Sequence, residues 1–342
     1  MRNLQSFKTY CVVGCISLLL ISCGGNKEKP VKNGVDAEIL NLTDSTVSFY
    51  SALTPLEKIK GREPSFYLDI PVDSNGIFVR PLDLLEGYYY LEYDHNKNLY
   101  FVQHGKRLSL DFDATQPTEK PDYSGKLKYE SRYLFDRALE QANFLANQNR
   151  YYAYDEKQFI ESIELLRGKM DTQLVMYISN HPTGSPRFMQ QESLTNLYFM
   201  ASQIEAYPLY RNENSQELSA DYFHFTDVLN INDTNASSNP EFYDFIVNYV
   251  WNRAGVPTSE TNIQQQITFV DSNFTVNEYK DYLRFTAAKE VTQWKNESQR
   301  KIALDTLIGL INDTEIRQFL VKNVEKDTAA IPTMEHVILE DQ

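Results

Sequence analysis

Cysteine is nearly missing from this sequence: Cys11, Cys15 and Cys23 all fall within the first 23 of 342 residues. From Gly24 onward no side chain can form a disulfide, run a Cys-x-x-Cys redox cycle or attack as a thiolate. Basic residues are also short, 33 against 47 acidic, for a formal net charge of −14. That deficit argues against a nucleic-acid partner, because binding a polyanion needs a cationic surface that releases counterions. It argues equally against electrostatic adhesion to anionic lipid. His95, His104, His181, His224 and His336 are scattered, with no His-x-His or His-Glu-x-x-His spacing. A Gly-x-Ser-x-Gly elbow, a phosphate loop and a dinucleotide fingerprint are all missing. No cofactor, metal or catalytic residue is therefore expected.

Long hydrophobic runs are scarce as well. The one that stands out, Cys11 to Ser22, is preceded by Arg2 and Lys8. At 1.5 Å per helical residue it reaches about 18 Å, short of the roughly 30 Å hydrocarbon core. It reads as a cleaved export signal, residues 1–22, not as a spanning helix. Leu20-Ile21-Ser22-Cys23 followed by Gly24-Gly25 has the pattern of a lipoprotein signal-peptidase site. Cys23 is thus the candidate lipidation site and the mature N-terminus. Loss of Arg2 and Lys8 with the signal takes the net charge from −14 to −16. The acyl chains must then supply the membrane affinity, and two or more such chains hold firmly. The expected location is the cell envelope, lipid-anchored at the outer membrane and facing the periplasm, with surface exposure as an alternative.

Residues 23–35 are polar and broken by Pro30, as in a flexible tether. From 36 to 115 the pattern is β. Thr46 to Tyr50, Phe66 to Ile70, Ile77 to Val79, Tyr88 to Tyr93, Asn98 to Val102 and Arg107 to Phe112 read as short strands. Asn75-Gly76 and His104-Gly105 mark turns. Six or so strands at this spacing predict a small antiparallel β-sandwich. From 125 to 330 the period is helical. Asp155 with Gln158 suggests a capping box. Phe159, Ile163, Leu166, Met170, Leu174 and Tyr177 mark one face of a long helix. Ser185-Pro186 and Asn239-Pro240 place a cap before a helix-starting proline. Phe242, Phe245, Ile246, Tyr249 and Val250 form another stripe, ended by Gly255. Further amphipathic stretches fall near 277–296, 298–311 and 314–325, and 331–342 is a tail. The fold class expected is α+β, a sandwich followed by an α-helical bundle.

Two motifs invite chemistry. Asp111-Phe112-Asp113-Ala114-Thr115 resembles the Asp-x-Asp-x-Thr nucleophile of haloacid-dehalogenase-type phosphatases. Gln116-Pro117 follows where an apolar residue belongs, and alternating polar residues on an edge strand explain the same letters. Asp233 to Asp244 has oxygen donors at calcium-loop spacing, but Ser238 stands at the glycine position and Pro240 removes a backbone donor. A loop capped by Asn239 accounts for it. The 23 tyrosines could line a sugar-stacking surface, though Tyr88-Tyr89-Tyr90 alternates across a strand and others fall in helical stripes.

Val72-Asp73-Ser74-Asn75-Gly76-Ile77-Phe78, Glu86-Gly87-Tyr88-Tyr89-Tyr90-Leu91, Leu99 to Val102 with Gly105, Leu108 to Asp113, Tyr123-Ser124-Gly125 and Glu130 to Leu134 together carry a resemblance. Their order is similar to the front half of lipid-anchored, TlpA-like thiol-disulfide oxidoreductases of Bacteroidota. The resemblance covers about residues 40–330. It implies a lipobox, a small sandwich and a helical region ahead of a thioredoxin domain. The redox residues of that family sit in a C-terminal Trp-Cys-x-x-Cys segment that has no counterpart here, so no active-site residue carries over. The expectation is a non-catalytic, lipid-anchored protein that binds or positions an envelope protein partner. The alternatives are the non-catalytic portion of such an oxidoreductase, its thioredoxin domain missing or encoded separately, and a glycan-binding lipoprotein.

Overall fold

The computed structural model describes residues 34–211 and 217–326; Cys23, the signal, residues 23–33 of the tether and the tail lie outside the described residues. The chain runs β1 (Gly34–Leu40), β2 (Thr46–Ser51), a short helix α1 (Pro55–Ile59), β3 (Tyr67–Pro71), β4 (Ile77–Arg80), β5 (Gly87–Tyr93), β6 (Asn96–Val102), β7 (Arg107–Asp113) and β8 (Asp122–Gly125). Helices follow: α2 (Lys128–Ala146), α3 (Gln148–Tyr152), α4 (Glu156–Asn180), α5 (Pro186–Tyr210), α6 (His224–Asp227), α7 (Pro240–Ala254), α8 (Glu260–Asn273), α9 (Asn277–Val291), α10 (Glu297–Leu310) and α11 (Thr314–Lys326). The fold is α+β, a sandwich followed by helices.

Sheet A has the order β4-β1-β7-β8 and sheet B the order β3-β2-β5-β6. Alternation explains the packing. Val35, Ala37, Ile39, Leu108, Leu110 and Phe112 of sheet A meet Val47, Phe49, Leu91, Tyr93 and Tyr100 of sheet B in one dry core. Each large side chain buried there contributes roughly 1.5–3 kcal/mol. The hairpin from β5 to β6 turns on Asp94 and His95, both at positive φ (43° and 68°), as a two-residue loop between twisted strands requires. Asp94 is held there by the backbone N–H of Thr43 and of Asp44, each at 2.8 Å.

Three expectations are corrected. Gly34 and Val35 belong to β1 rather than to the tether. β1 and β7 pair in parallel over Gly34–Leu40, so the sandwich is not wholly antiparallel, and β7 lies inside sheet A instead of at its edge. An eighth strand, β8, pairs with β7 beyond residue 115, carried by the single buried side chain of Tyr123. At the Asn75-Gly76 turn only Gly76 takes positive φ (76°), while the Asp73 carboxylate accepts from the N–H groups of Asn75 and Ile77.

The helical signals hold locally. Asp155 accepts from the N–H of Gln158 at 2.8 Å, one half of the expected capping box, and the whole six-residue stripe of α4 is buried. Ser185 and Asn239 cap α5 and α7 ahead of their prolines. In α5 every residue from Tyr198 to Tyr207 is buried, so it runs through the middle of the helical region, packed between α4 and α7.

The sandwich meets the helices at two places. At one end of sheet B, Tyr88 and Phe101 pack on Phe188, which also touches Tyr133 and Tyr177. Beside that same end, where Ser51 pairs with Tyr89 and the Ala52 N–H donates to the Tyr88 carbonyl, α1 follows β2 and leans on α9 and α11, with Ile59 buried in their core. There Lys60 pairs with Asp313 at 2.6 Å and Arg62 with Glu315 at 2.7 Å. Gly61 ends this contact at φ 66°, and a Cβ at that position would lie 2.5 Å from the Phe319 ring. No helix among the described residues is long and apolar enough to cross a membrane.

Candidate functional site

The period of a strand puts Tyr88, Tyr90 and Glu92 of β5 on the outer face of sheet B, while Tyr89 and Leu91 face the core. Cross-strand register extends this face. Phe101, Leu99 and Lys97 of β6 stand opposite those three; Tyr50 and Ser48 of β2 stand opposite Tyr90 and Glu92; and Tyr67 and Asp69 of β3 stand opposite Tyr50 and Ser48. The result is three rows. The first, Tyr88 and Phe101, lies under the helices. The second is a line of tyrosines, Tyr67, Tyr50 and Tyr90. The third is polar: Asp69, Ser48, Glu92 and Lys97.

Neighbouring rings in the tyrosine line have centroids 5.6 and 5.7 Å apart, the first pair stacked and the second tilted. Tyr50 therefore gives ring surface to both neighbours. Lys97 Nζ sits 4.2 Å over the Tyr90 ring and 5.9 Å from that of Tyr50. Tyr67, at 55% exposure, keeps one side open to solvent. The Tyr50 hydroxyl donates to Glu92 at 2.6 Å, and burial with this carboxylate pushes its pKa well up.

Helices form the facing wall. Arg137 on α2 and Glu192 on α5 make a buried ion pair, Nε to Oε2 at 2.8 Å but not aligned as a hydrogen bond. The Tyr88 hydroxyl donates to Glu192 Oε1 at 2.6 Å, and Arg137 Nη1 donates to Gln141 Oε1 at 2.7 Å. Gln141 Nε2 in turn donates to Glu241 on α7 at 3.3 Å. Burial raises the Glu192 carboxyl, opposed by Arg137 and Tyr88. One turn along α7 from Glu241 stands Asp244. Burial first, then Asp244, pushes Glu241 up to about 8, and burial pushes Asp244 up to about 6.

Asp244 is exposed and Glu241 half-buried, so the desolvation that raises them is partial. Only the upward direction stands for both. Lys58 of α1, itself exposed, borders the crevice between sheet B and the helices. Its ammonium is lowered by burial and by Lys97, and raised by Asp244. The crevice thus combines two ammoniums, two carboxyls of raised pKa and aromatic surface. Such a set can bind and orient a polar ligand.

The residues singled out from sequence do not assemble into one site. Asp113 accepts from Asn41 and Thr115 and so fastens the end of β7, while Asp111 is exposed. Asp233 turns back onto the N–H of Asn235, and Asn239 caps α7, which leaves a capped loop; Asp244, the twelfth position of that motif, is exposed on α7. His104 faces Asp83, His181 stacks on Tyr129 and Tyr177, His95 forms the β5–β6 turn and His224 opens α6. His336 and Cys23 lie outside the described residues. Among the described residues no group of three or more His, Cys, Asp or Glu could hold a metal ion. Lys58, Lys97, Arg137 and Glu192 gave no signal in sequence, because they come from four elements with no fixed spacing; Glu241 stood out only within the calcium-like run.

A second concavity, an open groove of about 820 Å³ between the end of α7 and α8, is lined by Thr, Gln and Asn side chains with Arg253 and Phe269. Arg253 is already committed there to Glu205 and Asp227. The crevice is the richer site. The chain matches no family model, no curated protein and no solved structure.

Proposed function

We propose that this chain is a lipid-anchored envelope protein that holds or positions a partner and carries out no chemistry of its own. The observation that carries this reading is the run Leu20-Ile21-Ser22-Cys23, set behind a basic start and a short apolar stretch, with no cysteine after it. Acylation of Cys23 would consume the last thiol. The double attachment of sandwich to helices supports the same reading, since a stiff body suits holding. Cys23→Ala is expected to move the protein from the membrane fraction to the soluble envelope fraction; a mutant that stays with membranes would overturn the anchoring. Insulin-disulfide reduction by the purified chain would overturn the non-catalytic reading. The resemblance to the front half of TlpA-like oxidoreductases makes a separately encoded thioredoxin domain one candidate partner, and thioredoxin-like coding sequence directly downstream would support it.

A second reading, glycan binding, is favoured by a specific observation: the line Tyr67, Tyr50 and Tyr90 on the outer face of sheet B, with Tyr67 open to solvent. Rings that stack on one another leave few free faces, and Lys97 covers Tyr90, so the support comes from the Tyr67 end of the line.

A further inference from the structure

In a chain this acidic, a surface groove without a carboxylate is a distinct environment, and none lines the groove between the end of α7 and α8. Its one charged side chain, Arg253, is neutralised by Glu205 and Asp227 and lies over the Phe223 and Tyr249 rings. The α8 wall is Thr261, Gln265, Thr268 and Ser272, spaced i, i+4, i+7 and i+11, so the four share one face along about 16 Å of helix. Gln264 and Phe269 flank that face. The side chains of Thr261, Gln264, Gln265 and Ser272 make no hydrogen bond among the described residues. The Arg253 and Ala254 carbonyls, in the last turn of α7, accept none either. Phe269, half-buried with its ring centroid 6.1 Å from that of Tyr249, is the one large apolar side chain in the lining.

We propose that this groove binds a neutral oligosaccharide lying along α8. Sugar hydroxyls donate to the glutamine amide oxygens and the α7 carbonyls and accept from the glutamine N–H groups, while the C–H face of one unit lies against Phe269. The lining offers a polyanion no uncommitted cation and a polycation no carboxylate. An extended peptide is recognised through pockets for alternate side chains, and a single phenylalanine ring does not supply them. Because the groove is open along its length, it suits a chain of sugars better than one small molecule. The site is independent of the anchor at Cys23, and it shares a ligand class, not a location, with the Tyr67 line.

The test is isothermal titration of the purified full chain with neutral glucose, galactose, mannose and xylose tetramers, a galacturonic acid trimer and an uncharged serine-rich peptide. At least one neutral tetramer is expected to bind, and the acidic trimer and the peptide far more weakly. Gln265→Ala should weaken that binding about two- to tenfold, as loss of one neutral hydrogen bond does. Adding Ser272→Ala should weaken it further. Both positions are exposed, so the melting temperature should not move. Tyr67→Ala should leave the binding unchanged. No binding of any tetramer, equal or tighter binding of the acidic trimer or the peptide, or indifference to the α8 variants would each overturn the proposal. Binding that falls with Tyr67→Ala and not with Gln265→Ala would overturn it as well, while upholding the Tyr67 line as the sugar site. Cys23→Ala should bind as the unaltered chain does, so the groove and the anchor stand or fall separately.

Discussion

The two contacts between sandwich and helices use different physics. At the Tyr88–Phe101 end, rings from both regions close over the Arg137–Glu192 pair and keep water from it. At α1, one buried isoleucine anchors the contact, and the Arg62–Glu315 pair at its rim is half exposed. The first contact cannot lose a partner without stranding a charge in the interior. The rim pair of the second can, because water replaces what is removed there. The same ion-pair chemistry therefore weighs heavily in one place and hardly at all in the other.

The sharpest way to break this contrast is Arg137→Ala. It leaves Glu192 buried and unpaired and is expected to cost about 3–5 kcal/mol in denaturant unfolding. The double variant Arg137→Met with Glu192→Leu should recover most of that loss. A single variant as costly as the double would mean that packing, not charge, decides this junction.

A middle-sized effect is expected from Glu241. Its folded-state pKa, about 8, lies above the ordinary value of 4.5, so the native chain holds this proton more tightly than the unfolded chain. The stability it contributes is complete below pH 4.5 and is lost as pH rises toward 8. Glu241→Gln should remove that loss: unfolding midpoints of the two proteins converge near pH 4.5 and separate by pH 8, the variant being the more stable. Parallel midpoint curves would show that folding leaves the Glu241 pKa unchanged.

The smallest effect belongs to the rim. Arg62→Ala is expected to leave the unfolding midpoint unchanged within error, and a clear drop would put the α1 contact in the same class as the other.

Much of the fold was legible in local pattern. The α4 stripe from Phe159 to Tyr177, the Ser185 and Asn239 caps and the alternation of Tyr88, Tyr89 and Tyr90 each depend on neighbours a few residues away. What escaped depends on distant partners. The parallel pairing of β1 with β7 joins segments about 70 residues apart, and nothing in Gly34 to Leu40 announces it. β8 has one buried residue, too little for a strand signal, and α1 has five residues, fewer than two helical turns. The crevice was the least visible part. Lys58, Lys97, Arg137 and Glu241 are ordinary surface letters in sequence and meet only after sandwich and helices dock. Glu241 and Asp244 stand out in sequence only as positions of a calcium-like loop, a reading the cap at Asn239 removes.

The position of β1 has a mechanical consequence. It enters sheet A between β4 and β7 and is hydrogen-bonded along both flanks. Tension delivered through the residues ahead of Gly34 therefore loads many of those bonds at once, in shear, instead of unzipping them singly. A body tethered by this end would resist extraction far better than one hung from a peripheral strand.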